Sequence, residues 1–186
     1  MPHHLSARAE EILRSYFHAE DENRPHVLAS VFTEGAVLQV HNRSSAIAFP
    51  AVTQGRDAIA DVLVRNFGQT YENVYSFYMT RPTVPTHRYS CDWLVGMSDK
   101  GSRTVRVGCG RYDWLFEEKS PHLASHLNIT IEVMQVLPAD ELMPVLEWFE
   151  KLTYPWSSPV EATESAPGIK ELNAILQYIG RGEGDV

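Results

Sequence analysis

The stretch RYSCDWLVGMSDKGSRTVRVGCGRYDWLF, residues 88–116, decides the fold. On both sides of Asp99-Lys100-Gly101-Ser102, aromatic and β-branched residues alternate with polar ones, as in two strands joined by a tight turn. A two-residue Lys100-Gly101 turn predicts that Asp99 faces Ser102, Trp93 faces Gly108, Cys91 faces Gly110 and Tyr89 faces Tyr112. Bulky side chains then cover glycines. On the other face the same count sets Asp92 beside Cys109, Ser90 beside Arg111 and Arg88 beside Asp113.

Two further alternating segments flank this hairpin, at about 73–80 and about 125–137. In the second, Leu127, Ile129, Ile131 and Val133 alternate with His126, Asn128, Thr130 and Glu132. Matching apolar to apolar puts His126 and Asn128 on the side of Arg111 and Asp113, with the register left open by the connection 117–124.

Upstream, the period becomes helical. Ile12, Leu13, Tyr16 and Phe17 form one stripe of a helix from Leu5 to about Glu20, with Ser6 as its N-cap. The acids Glu10, Glu11, Glu20, Asp21 and Glu22 are expected on the solvated side. Pro25 opens a short second helix that Gly35 stops, and a strand follows at about Ala36–His41. Residues 42–54 read as a loop with a short strand near 46–49, and Arg56 to about Phe67 as a third helix. Downstream, a helix is expected over Ala139–Thr153, a linker over Tyr154–Ala166 and an amphipathic helix over Pro167–Ile179. That last helix needs a cover, from its own domain or from a partner subunit, and residues 181–186 are expected to be a disordered tail. The organisation is thus one domain over 1–153, then linker, helix and tail over 154–186.

With 24 Asp and Glu against 16 Lys and Arg, the net charge is −8, which disfavours nucleic acid and anionic membranes as partners. The chain shows neither a leader pattern nor a membrane span, and Cys91 and Cys109 form no CxxC pair, so a cytoplasmic protein with reduced thiols is expected. The eight His are scattered without metal-ligand spacing, and no glycine-rich phosphate cradle occurs, so neither metal nor cofactor is expected.

The order of elements resembles the nuclear transport factor 2-like superfamily over about Leu5–Leu152. The segments that carry the resemblance are Val31-Phe32-Thr33-Glu34-Gly35-Ala36-Val37 after the short helix, Gly55-Arg56-Asp57-Ala58-Ile59 opening the third, and Cys109-Gly110-Arg111-Tyr112-Asp113 on the penultimate strand. Ketosteroid isomerase, SnoaL-like polyketide cyclases, scytalone dehydratase and limonene epoxide hydrolase share this pattern. The resemblance implies a cone-shaped α+β fold: a curved antiparallel sheet wrapped around N-terminal helices, with a hydrophobic pocket at its open end, often as a homodimer. It also implies that Asp113 stands where ketosteroid isomerase-like members place an oxyanion-hole acid, and that Tyr16 stands where they can place a hydrogen-bonding tyrosine. The position of their general base is taken here by Val40, between Gln39 and His41, so steroid isomerisation is not expected.

Catalytic candidates are therefore Asp113, His126 and Tyr16, with Tyr112, Trp114, Trp93, Arg111 and Asn128 as substrate contacts. Each has a structural alternative: Asp113 as an ion-pair partner of Arg88, His126 as an ordinary strand residue, the aromatic residues as core. The sequence leaves open which sheet face lines the cone, since the aromatic face suits a core while the resemblance favours the face of Asp113. The functional expectation is a cofactor-independent isomerase, cyclase, dehydratase or hydrolase of a small hydrophobic molecule. A non-catalytic binding protein and a structural dimerisation module are the alternatives.

Overall fold

The computed structural model describes residues 3–83 and 86–182, with side chains from residue 8 onward except at 84–85 and 183–186. The Ser6 cap and the tail beyond residue 182 lie outside this description. The chain runs through α1 (His3–Asp21), a 3-10 turn (Pro25–Ser30), β1 (Phe32–Asn42) and β2 (Val52–Gln54). Next comes α2 (Arg56–Ala60), which passes through a π-turn (Asp61–Arg65) into α3 (Asn66–Thr70). Strands β3 (Tyr71–Tyr78), β4 (Arg88–Asp99), β5 (Val105–Phe116) and β6 (Ala124–Leu137) precede α4 (Leu142–Phe149), α5 (Pro159–Glu164) and α6 (Asn173–Gly180).

The strands form one curved, unclosed sheet in the order β2-β1-β6-β5-β4-β3. Every pair is antiparallel except β1 with β6, which is parallel. The expected strand near 46–49 is absent, and residues 43–51 form a loop instead.

The β4–β5 register differs from the two-residue turn by two positions. Trp93 faces Gly110, Cys91 faces Tyr112, Ser90 faces Asp113, Asp92 faces Arg111 and Arg88 faces Leu115. The cause is the turn itself. Asp99 Oδ1 accepts the backbone N–H groups of Gly101 and Ser102 at 2.8 and 2.9 Å, and Arg103 takes a left-handed conformation with φ 63°. A four-residue loop closed by an aspartate side chain replaces the tight turn. Because the shift is even, no side chain changes face.

A large side chain over a glycine survives at the new register. A Cβ on Gly110 would lie 1.8 Å from the Thr130 carbonyl oxygen and 2.7 Å from the Trp93 ring. The first neighbour is backbone and cannot move alone, so Gly110→Ala should cost about 3 kcal/mol. Urea denaturation checks this, and a loss below about 0.5 kcal/mol would show that β5 and β6 can separate there without strain.

Beside Gly110, an irregularity in β6 follows Ile131, so Glu132 is extra and the alternation inverts. Val133, expected with Ile131, packs on the opposite face, and Met134 takes its place inside.

The two sheet faces carry two cores. One joins Ile12, Leu13, Tyr16 and Phe17 of α1 to Leu38, Tyr78, Cys91, Trp93, Tyr112, Trp114, Leu127 and Ile129. Phe17 stacks on Tyr78 at 3.9 Å between centroids, and the Tyr78 hydroxyl donates to the Leu13 carbonyl at 2.8 Å. The second core covers the back of the sheet with the chain's own C-terminal helices: Leu94, Val105, Val107 and Cys109 meet Trp148, Phe149, Ala162, Leu172, Ile175 and Ile179.

The helix expected at 167–179 thus returns to its own sheet. The segment read as a linker is ordered too. Pro155 and Ser157 extend the edge of β3 by hydrogen bonds to Tyr78, and α5 starts at Pro159 with Ser158 capping Glu161 N at 3.1 Å. Arg181, assigned to the tail, pairs with Asp92 at 3.1 Å.

Candidate functional site

The inward face of the sheet is the aromatic one. Between it, the α2–α3 helix and the 43–51 loop lies a hollow of about 40 Å³. Since one water needs roughly 10–15 Å³, it holds about three waters' worth of space. Its wall includes Val40, Leu63, Phe67, Trp93, Val95, Met97, Tyr112, Ile129, Ile131 and Met134. Leu63 belongs to the π-turn and Phe67 follows it; π-turns often sit at functional sites.

Ile47 and Phe49 complete the wall from the 43–51 loop. Asn42 Nδ2 donates to Ile47 O at 2.6 Å, and Arg106 Nε donates to Ala46 O at 3.2 Å. Arg106 also reaches Asp99 at 3.3 Å and lies 5.2 Å over the Tyr71 ring. The loop is therefore a cover latched to the hairpin turn. On its far side, Ile47, Phe49 and Phe67 also border an open groove of about 320 Å³.

Glu20 brings a carboxyl into the wall of the hollow. It is the next step of the stripe formed by Ile12, Leu13, Tyr16 and Phe17, four residues beyond Tyr16. Its Oε2 is sealed from solvent and has no hydrogen-bond partner. Burial, then the neighbouring Asp21 charge, pushes the carboxyl up to about 8, against a smaller opposing effect of the Tyr16 hydroxyl. Tyr16 Oη is also sealed and unpartnered, close enough to Glu20 for the two ionisations to interact but not in hydrogen-bond geometry. Asp21 stands at the end of α1, where its carboxylate accepts Ser76 Oγ at 2.8 Å, Ser76 N at 3.2 Å and Tyr154 Oη at 3.4 Å. Burial outweighs these bonds and raises it to about 7. Both acids were assigned to the solvated side of α1; both residues are instead partly buried, with Glu20 Oε2 sealed inside and the Asp21 carboxylate held by Ser76.

The structure divides the residues singled out from sequence. Tyr16, Trp93, Tyr112 and Trp114 lie inside, with Trp93 and Tyr112 in the wall of the hollow and Tyr16 and Trp114 packed behind it. Tyr16 meets Trp114 and Tyr112 edge-on at 5.0 and 6.0 Å. Asp113, His126, Arg111 and Asn128 lie on the opposite face, because strand alternation puts them out when Tyr112, Trp114, Leu127 and Ile129 point in. Asp113 is 44% exposed; Ser90 Oγ donates to it and Arg111 Nε lies 3.6 Å away. The expected Arg88 partnership is replaced by Ser90 through the register shift. Arg111 and Arg181 both approach Asp92, and His126 Nδ1 lies 3.1 Å from Ser125 Oγ. Asp113 and His126 therefore do not reach the hollow. Val40 does line it.

Among the described residues, no cluster of three or more metal-ligating side chains occurs, and no helix is long and apolar enough to cross a membrane.

No family model and no curated protein matches the chain. Solved structures do. It is similar to a hexachlorocyclohexane dehydrochlorinase, LinA type 2, with TM-score 0.58 and 14% identity over 70% of this chain and 87% of the other. It is similar to a nuclear transport factor 2-like superfamily protein from Salmonella enterica, with TM-score 0.57 and 13% identity over 69% and 92%. A third is a ketosteroid isomerase-like protein from Catenulispora acidiphila in complex with trimethylamine, with TM-score 0.55 and 18% identity over 70% and 95%. The chain has the nuclear transport factor 2-like fold.

Proposed function

We propose that the protein is a cofactor-independent acid–base enzyme acting on a small molecule held in the hollow, with Glu20 as the proton-transfer group. The observation that carries this reading is a carboxyl in a mostly aliphatic wall that also holds four aromatic rings, its value moved close to neutrality. A general acid or base works best when its pKa lies near the working pH, because both forms are then accessible. Tyr16 packs behind Glu20, where its hydroxyl favours the ionised carboxyl, and Trp93 Nε1 is a further sealed donor without a partner. The fold hosts a dehydrochlorinase among its solved members, and a compact amine is an occupant that another member takes. Fold alone does not select a reaction.

The test is a pH–rate profile on any substrate turned over, comparing wild type with Glu20→Gln and Asp113→Asn. An inflection near pH 8 that disappears in Glu20→Gln, with Asp113→Asn behaving as wild type, is the expected result. Full activity in Glu20→Gln would end this assignment. The small free volume favours a second reading, a structural module whose cone is filled by side chains. That reading requires wild type to bind no small molecule and Glu20→Gln to leave every interaction of the protein intact.

A further inference from the structure

The wall of the hollow is selective in charge. Phe49, Phe67, Trp93 and Tyr112 present aromatic rings, Glu20 presents a carboxyl, and no Lys, Arg or His joins them. The groups that act on Glu20 from neighbouring elements are Asp21 and Tyr16 on its own helix, Tyr112 on β5, Tyr78 on β3 and Tyr154 after α4. All are acidic or neutral, so none of them compensates the ionised carboxyl.

An anion would meet a carboxyl with no cation beside it, in a chain of net charge −8. A neutral molecule would suit the protonated carboxyl but gain nothing from its ionised form. A cation supplies the missing counter-charge and also faces the negative π-surfaces of aromatic rings, the arrangement by which quaternary ammonium groups are recognised.

We propose that the hollow takes a compact cationic amine, its nitrogen set against Glu20 among the rings of Trp93, Tyr112, Phe67 and Phe49. This rests on the reading that the hollow is the ligand site, and it adds the substrate class. The volume of about 40 Å³ limits the head to a nitrogen with small alkyl groups. A longer substituent has to leave between Ile47 and Phe49 into the outer groove they share. The cation favours the carboxylate, so binding displaces the carboxyl proton to solvent: neutral acid plus ammonium gives the carboxylate–ammonium pair plus one H⁺. The ligand itself thereby converts Glu20 from acid to base.

Ethylammonium chloride and ethanol, each of three heavy atoms, serve as charged and neutral probes of similar size, titrated calorimetrically at pH 7 and fixed ionic strength. Proton release is followed in weakly buffered solution. Ethylammonium is expected to bind at least about tenfold more tightly and to release most of one proton per site, with both effects lost in Glu20→Gln. Equal or tighter binding of ethanol, binding of ethylammonium without proton release, or an unchanged preference in Glu20→Gln would each overturn the proposal. Val95→Trp, which fills the hollow, separates the two levels, with Ile129→Phe as its replacement if it does not fold. If ethanol binds wild type but not the filled variant, the hollow is a ligand site and only the charge class is wrong. If neither probe binds wild type, the substrate class and the acid–base reading fall together.

Discussion

Replacing Glu20 by glutamine is expected to lower turnover by about 10²–10⁴-fold, the usual contribution of a positioned acid or base, while making the protein more stable at pH 8. The two effects have one cause. The carboxyl has an ordinary value of 4.5 and is pushed to about 8 in the folded protein. Between those values the folded state holds a proton that the unfolded chain has released, so stability falls as pH rises through that window. The protonated form's contribution is complete below about 4.5 and gone above about 8, at up to ~1.4 kcal/mol per pH unit for one group. Asp21, raised from 3.8 to about 7, acts in the same sense over its own window. Wild type should therefore melt lower at pH 8 than at pH 5. Glu20→Gln should show a shallower dependence and a Tm several degrees higher at pH 8, since ~1 kcal/mol moves a chain of this size by about 2–4 °C. A Tm at pH 8 below that of wild type would mean that the carboxylate is stabilised where it stands.

Ending the chain after Thr153 is expected to abolish cooperative folding. That cut removes Ala162, Leu172, Ile175 and Ile179 from the second core and uncovers Leu94, Val105, Val107 and Cys109 on the sheet. Each large apolar side chain lost from a core gives up about 1.5–3 kcal/mol, and three of them approach the 5–15 kcal/mol that holds a domain together. Trp148 Nε1 also loses its acceptor, the Ala162 carbonyl at 3.0 Å. Circular dichroism melting and solubility check this outcome; a soluble truncated chain melting at the wild-type temperature would show that residues 154–182 contribute nothing to the fold. Trp148→Ala is the graded version, with an expected loss of about 3–5 kcal/mol.

The faces of the strands were legible in the sequence because alternation depends only on parity. Tyr112 and Trp114 share one side with Leu127 and Ile129, and Asp113 shares the other with Asn128, under any register shift that is even. Register was not legible, since it depended on the Asp99 side chain closing the turn and on a left-handed Arg103. Ser158, Pro159 and Glu161 carry a helix-start signal inside a segment that reads as linker by composition. Glu20 was hidden for a similar reason. In the run Glu20-Asp21-Glu22 it looks like surface charge, yet its distance from Tyr16 places it on the apolar stripe, and only the path of the chain after α1 tells how far that stripe is buried. The four-residue spacing from Tyr16, about one helical turn, was the available signal.

Covering the back of the sheet with α4 and α6 has a consequence for self-association. A helix tied to its docking face by a short connection experiences a local concentration in the millimolar range, far above that of a free second molecule at ordinary protein concentration. Two copies seeking to join through Leu94, Val107 and Cys109 would be competing against a resident already leashed in place.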